Sequence, residues 1–241
     1  MFQPKISIIT ICYNSAQTIE KTIQSIVEQD YTNREYIIVD GLSTDNTLSI
    51  VNKYSKQIDV IISEKDKGIS DAFNKGITRA SGDIIVLINS DDILLPDALS
   101  KVAQAWEPGV DIFSTNVIMK DCDTGYECRE VPSTTFPLMP FCRHVAHQGA
   151  YISSECYNRY GLYDINLRWP MDLEFFMRVY LRGGKFKYCD IDTAIFMSGG
   201  TTNSNSIFKK RKDIIYMIKK NGGSSLQAWS YYMFVVATQV V

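Results

Sequence analysis

Asp91 and Asp92 close the apolar run Ile84 to Ile88, with only Asn89 and Ser90 between. Adjacent ionised carboxylates repel each other, so such a pair persists where a cation, a ligand or bulk water offsets the repulsion. A turn with a helix cap is the plainer reading, although Pro96 and Asp97 already furnish a helix start just beyond. Asp40 ends another apolar run, EYIIVD. A carboxylate at a strand end can accept a hydrogen bond from an imide N–H such as that of uracil, or it can open the turn before Gly41. In SEKDKGISDAFNKG, the residues Asp66, Lys67 and Asp71 surround a helix start, where backbone N–H groups and a basic side chain favour a diphosphate or ribose. Asp71 fits nucleotide contact and a helix-surface role equally. Asp45, in STDNT, reads as a cap and first-turn acid.

These residues need a scaffold that brings strand ends together. The first half alternates apolar β-branched runs (KISIITIC, REYIIVD, DVIIS, DIIVLIN) with amphipathic segments, which predict helices over about 16–29, 44–54 and 69–80. Runs that are apolar throughout, alternating with helices, predict an α/β fold with a parallel sheet covered on both faces. Ligands of such sheets bind beyond the carboxyl ends of the strands. The endings CYNS, DGLSTD, SEKDKG and NSDD therefore share one edge. Further on, the sequence predicts strands around DIFSTNVIM, a turn at DCDTG, a Pro-punctuated loop over 131–140, a helix over 171–182 and a strand at KFKYCDI.

The patterns also exclude chemistry. No Gly-x-Gly-x-x-Gly follows the first strand and no Gly-x-x-x-x-Gly-Lys-Ser/Thr occurs anywhere, so nicotinamide chemistry and a P-loop are both disfavoured. A metal held by carboxylates is the obvious candidate for binding phosphate in another way. The net charge of −2 gives no pull toward nucleic acid. Six irregularly spaced cysteines, with neither a Cys-x-x-Cys nor a basic leader at the N-terminus, lead us to expect reduced thiols in a cytoplasmic protein.

Five ordered motifs, TICYN, EYIIVDGLSTDNT, SEKDKGISDAFNKGI, GDIIVLINSDD and MDLEFFMRV, resemble those of glycosyltransferase family 2 over about 6–200. The resemblance implies a GT-A fold, a Rossmann-like, mainly parallel sheet with helices on both faces. It also implies inverting transfer of one sugar from a nucleotide-diphospho-sugar, a UDP-sugar by default, to an acceptor hydroxyl during cell-surface polysaccharide synthesis. Carried over residue by residue, it puts Thr10, Tyr13, Asp40, Asp66, Lys67, Asp71, Ser90 and Asp91 at the nucleotide and donor. Asp92 becomes the ligand of a divalent cation, Mn²⁺ or Mg²⁺, for which hard oxygen ligands are suited. Asn89 stands where many relatives carry Asp. Asp172 matches the late acidic motif and becomes the base, with Glu174 the alternative about 200° around the helix. His147 and Gln148 fall on the acceptor side, and the loop over 198–206 near the donor. Processive members carry Gln-x-x-Arg-Trp; here Arg168 and Trp169 are present but Ile165 replaces Gln, which argues for single addition. A sugar-phosphate nucleotidyltransferase and a non-catalytic nucleotide-sugar-binding module are the competing readings.

We expect the catalytic domain to cover 1–205, with a nucleotide half over 1–110 and an acceptor half over 111–205. The segment 206–241 contains KKRKDIIYMIKK over 209–220, which holds six basic side chains and one acid, and ends in a Trp- and Tyr-rich apolar run. That run is shorter than the about 20 residues a membrane span needs. Three roles fit it: lying on the anionic inner face of the cytoplasmic membrane near a lipid-linked oligosaccharide acceptor, packing on the domain, or forming a homodimer contact.

Overall fold

Strand β1 (Ile6–Cys12) places Ile6 and Ile8 on one face of the sheet and Ile9 on the other, all fully buried. This two-sided burial is what an apolar run flanked by helices requires. The computed structural model describes residues 3–132, 145–167, 170–198 and 207–238. After β1 come α1 (Ile19–Val27), β2 (Arg34–Asp40), α2 (Thr47–Lys53), β3 (Val60–Ser63), α3 (Ile69–Arg79) and β4 (Ile84–Asn89). The second half adds β5 (Ile93–Leu94), α4 (Ala98–Ala105), β6 (Ile112–Asp121), β7 (Glu127–Glu130), a 3₁₀ turn (His147–Gly149), β8 (Ala150–Ser153), α5 (Ser154–Tyr160), α6 (Met171–Leu181) and β9 (Phe186–Ser198). Two helices follow, α7 (Ile207–Lys220) and α8 (Ser225–Thr238).

The sheet order is β3-β2-β1-β4-β8-β6-β9-β5, with β7 paired to β6. The α/β expectation holds, and the parallel part is the first half: β3, β2, β1 and β4 run together. Beyond β4 the sheet is mixed, because β8 lies antiparallel between β4 and β6. The chain steps from β1 to β2 on one side and returns to β4 on the other, so a crevice opens at the carboxyl ends of β1 and β4. One core layer packs α1 and α4 on the sheet, and the other packs α3, α5 and α6. On the second layer α3 sits so close that a Cβ at Gly76 would lie 2.4 Å from Ile9 Cγ2.

The first two helices start later than their patterns predict. Residues 14–16 and 43–47 are used instead to lace two loops together. Asn14 N donates to Ser43 Oγ, Thr44 N to Asn14 Oδ1, Ser15 N to Thr47 Oγ1, and Ala16 N to Asp45 Oδ2. Asp45 also accepts from Thr47 N at 2.9 Å, so it does serve the first turn of α2. The Pro-punctuated stretch over 133–140, the Arg168–Trp169 pair and the loop over 199–206 lie outside the described residues.

Of the three roles open to the C-terminal segment, packing on the domain is realised within 207–238. Ile214, Met217, Ile218, Ala228, Tyr231 and Tyr232 form one buried cluster with Met177 of α6. Among the described residues no helix is long and apolar enough to cross a membrane.

Candidate active site

The crevice is framed by the loops after β1, β2 and β4, by the start of α3, and by the 3₁₀ turn facing the start of α6. On the nucleotide side Tyr13, Gly41 and Asp66 converge. A Cβ at Gly41 would lie 2.4 Å from Asp66 Oδ2 and 3.4 Å from Tyr13 Cδ2, so only glycine leaves this space open. Tyr13 is 61% exposed, an aromatic face held at the rim of the crevice. Asp66 is fixed by Gly68 N at 2.8 Å. Ser90 Oγ donates to Ser15 Oγ at 2.8 Å and ties the β4 loop to the β1 loop.

Other predicted nucleotide residues are placed differently. Thr10 is fully buried and accepts from Tyr36 OH at 3.2 Å, beneath the crevice and not within it. Asp40 is also fully buried; its carboxylate accepts from Ser43 N at 3.1 Å and Ser63 Oγ at 2.8 Å and so shapes the 41–43 loop. Asp71 accepts from Lys67 N at 3.0 Å and lies 3.7 Å from Lys75 Nζ, the helix-surface arrangement. Lys67 is exposed at the α3 start.

The β4 loop carries the two carboxylates in unequal settings. Asp92 is fully buried, and its Oδ2 accepts from Gln148 Nε2 at 2.8 Å and Asn89 Nδ2 at 3.0 Å. Its backbone oxygen accepts from Thr22 Oγ1 at 2.8 Å, which pins the loop to α1. Burial, then the neighbouring Asp91, push the Asp92 carboxyl up to about 7. Asp91 is half-buried, and burial raises it as well, against the pull of His147. Among the described residues the buried Asp92 Oδ1 and Asn89 Oδ1 have no hydrogen-bond partner. Buried oxygens are normally satisfied, so two orphans beside a second carboxylate fit a hard cation. Among the described residues no three His, Cys, Asp or Glu side chains converge on one point.

On the opposite wall His147 Nε2 lies 3.1 Å from Asn89 Nδ2, and His147 Nδ1 lies 3.8 Å from Asp172 Oδ2. Phe73 packs edge-on against the imidazole. Burial lowers the pKa of His147, against the upward pull of Asp172 and Asp91, so the neutral ring accepts from Asn89 and turns its other nitrogen to Asp172. Asp172 stands at the first turn of α6, with its side chain 31% exposed and Oδ1 accepting from Leu173 N. The alternative base is misplaced: Glu174 is fully buried and chelated by Arg178 at 3.2 and 3.0 Å, facing away from the crevice toward α7. Gln148, expected on the acceptor side, is buried and spent on Asp92. Asn89 was legible only as a departure from a pattern; in the fold it joins Asp92 to His147. The Glu174–Arg178 spacing of four residues was the one signal that Glu174 is a helix ion pair.

The family description "Glycosyl transferase family 2" matches residues 7–182. TuaG of Bacillus subtilis (strain 168), a glycosyltransferase provisionally assigned to teichuronic acid biosynthesis, is 38% identical over 103 residues, 42% of this chain and 41% of that protein. Among solved structures, S. aureus TarS 1-349 in complex with UDP-GlcNAc superimposes with a TM-score of 0.70 at 22% identity, covering 89% of this chain and 65% of that one. The mannosyltransferase PcManGT from Pyrobaculum calidifontis, in complex with GDP-Man and Mn²⁺, gives 0.69 at 17%, covering 91% and 64%. The chain thus spans less than two thirds of the length of these relatives. With its family description matched from β1 to the end of α6 and a GT-A fold shared with these structures, the chain belongs to glycosyltransferase family 2.

Proposed function

We propose that this chain carries the active site of an inverting transferase that moves one sugar from a nucleotide-diphospho-sugar to an acceptor hydroxyl in cell-surface polysaccharide assembly. One observation carries the reading: the Asp91–Asp92 loop and Asp172 face one crevice, joined by Asn89 and His147 across 3.1 and 3.8 Å. In this reading Tyr13, Gly41 and Asp66 frame the base and ribose, with Asp40 shaping their loop from beneath. Asp91, the more open carboxylate, and the unpartnered Oδ1 of Asp92 would hold a divalent cation. Such a cation offsets the negative charge that develops on the leaving diphosphate. Asp172 takes the acceptor proton as the new glycosidic bond forms, and His147 holds that carboxylate toward the crevice.

TarS is described with UDP-GlcNAc and PcManGT with GDP-Man and Mn²⁺, so UDP and GDP donors with a divalent metal are the ones to test first. Calorimetric titration with UDP, GDP and dTDP, with Mn²⁺ and with EDTA, on the wild type and on Asp91→Ala and Asp92→Ala, tests the donor half. Binding of one nucleotide that needs both metal and the carboxylates supports it. Binding indifferent to metal and to both substitutions removes the metal from the reading.

The acceptor in this reading is presented at an anionic membrane surface. The outward face of α8 carries Leu226, Trp229 and Met233, exposed by 81, 43 and 57%. Arg211 stacks 4.4 Å over Trp229, and Lys212 and Lys219 are exposed on α7 alongside. An apolar stripe beside basic side chains complements anionic headgroups.

A further inference from the structure

Glu174 is two residues from Asp172, fully buried, and held by more than its own helix. Arg178 supplies both intrahelical contacts and also donates to the carbonyls of Tyr160 and, at 2.8 Å, Leu162. From α7, Lys220 Nζ reaches Glu174 Oε1 at 3.3 Å and Asp164 Oδ2 at 2.5 Å, and Asn221 Nδ2 donates to Glu174 Oε1 at 3.2 Å. Tyr216 OH adds a bond to Asp164 Oδ2 at 3.0 Å. Partial burial pushes Asp164 up, but Lys220, Asn166 N and Tyr216 outweigh it and hold the carboxyl at about 2.

Asp164 lies in the loop that joins α5 to α6, and this loop is gripped from the other side by α3. Asn74 of α3 donates to Tyr163 O at 2.8 Å and accepts from Tyr163 N at 3.0 Å, and Ser70 Oγ donates to Leu167 O at 2.8 Å. The loop is therefore anchored to α3, while among the described residues Lys220 is the cation that joins loop and helix from a separate element. Arg178, on α6 itself, cannot fix α6 against the C-terminal hairpin.

We infer that Lys220 is a positioning residue for the reaction, a latch by which the α7–α8 hairpin sets the first turn of α6 and hence the angle of Asp172. The inference rests on Asp172 as the base. It follows that the C-terminal hairpin belongs to the catalytic apparatus. Misplacing a reacting group by about 1 Å costs up to about a hundredfold in rate, so a flexible first turn is enough to matter.

The test compares the full chain with Lys220→Met, Lys220→Arg and Asp172→Asn. Backbone amide exchange is followed over 171–175 and, in the same samples, over β1 and β4. UDP release from UDP-glucose and UDP-N-acetylglucosamine, and UDP affinity, are measured beside it. In Lys220→Met, exchange over 171–175 rises about tenfold or more while β1 and β4 keep their protection. UDP release falls about tenfold or more at unchanged UDP affinity. Lys220→Arg restores both. Unchanged exchange over 171–175, or a rise spread equally over the whole chain, overturns the latch. Wild-type turnover by Asp172→Asn would remove the base assignment instead, and the exchange data would still decide whether Lys220 holds α6.

Discussion

His147 Nδ1 lies 3.8 Å from Asp172 Oδ2, across the crevice from the Asp91–Asp92 loop that its other nitrogen reaches through Asn89. At 3.8 Å the neutral imidazole stands beside the carboxylate without a hydrogen bond, so it limits the carboxylate's orientation by contact and leaves its lone pairs available to an acceptor. Asp172→Asn keeps the size of the side chain and removes the basic oxygen. We expect turnover to fall by about 10²–10⁴ with donor affinity unchanged. His147→Ala should cost less, about tenfold, since it removes the orienting group only. Steady-state kinetics beside calorimetric donor titration separates the two effects, and equal losses in both variants would contradict this division of labour.

Asp92 makes the stability of the metal-free chain depend on pH. Its folded-state carboxyl titrates at about 7, above the ordinary carboxylate range, because burial and Asp91 penalise the charge. A raised pKa contributes stability that is complete below the unfolded value and is lost as pH rises through the folded one. Wild-type Tm measured in EDTA should therefore fall, relative to Asp92→Asn, as pH goes from about 4 to about 7. Saturating Mn²⁺ should recover the loss by binding the native state. A constant difference between the two proteins across that range would refute the assignment.

Gly41 tests the nucleotide wall without touching a charged group. Gly41→Ala brings a methyl group to 2.4 Å from Asp66 Oδ2, so the Asp66 carboxylate must shift, and into ordinary contact with Tyr13. Nucleotide affinity should drop by about tenfold, equivalent to 1.4 kcal/mol, with the fold retained. Calorimetry with UDP and Mn²⁺ reads the first quantity and circular dichroism the second; full affinity would place the base elsewhere.

The α8 stripe predicts binding to anionic bilayers. Flotation with phosphatidylglycerol vesicles should carry the wild type upward, and phosphatidylcholine vesicles should not. Replacing Leu226, Trp229 and Met233 together by Ser should abolish flotation, since each buried apolar side chain contributes about 1.5–3 kcal/mol. Salt should weaken what the basic side chains contribute. Equal flotation of the triple variant would rule the stripe out as the contact.

The sequence by itself determined the α/β class, the strands that end at the crevice and the loops that carry the polar residues. Apolar periodicity reports which segments must be buried on two faces, and the strand ends follow from where that periodicity stops. It matched REYIIVD to β2 at both ends, but it set α1 and α2 too early because the side chains of Asn14, Asp45 and Thr47 satisfy the backbone of a neighbouring loop. Only the tertiary structure decided what each polar residue faces. Thr10 and Asp40 point into the protein, Gln148 serves Asp92, and Glu174 belongs to an ion network with Arg178 and Lys220. Those partners lie far apart in the chain: Asn89 and His147 by 58 residues, Glu174 and Asn221 by 47. A local pattern carries no information about which distant group will satisfy a buried carboxylate. The free energy of that pairing is set by geometry that exists only once sheet and helices have packed.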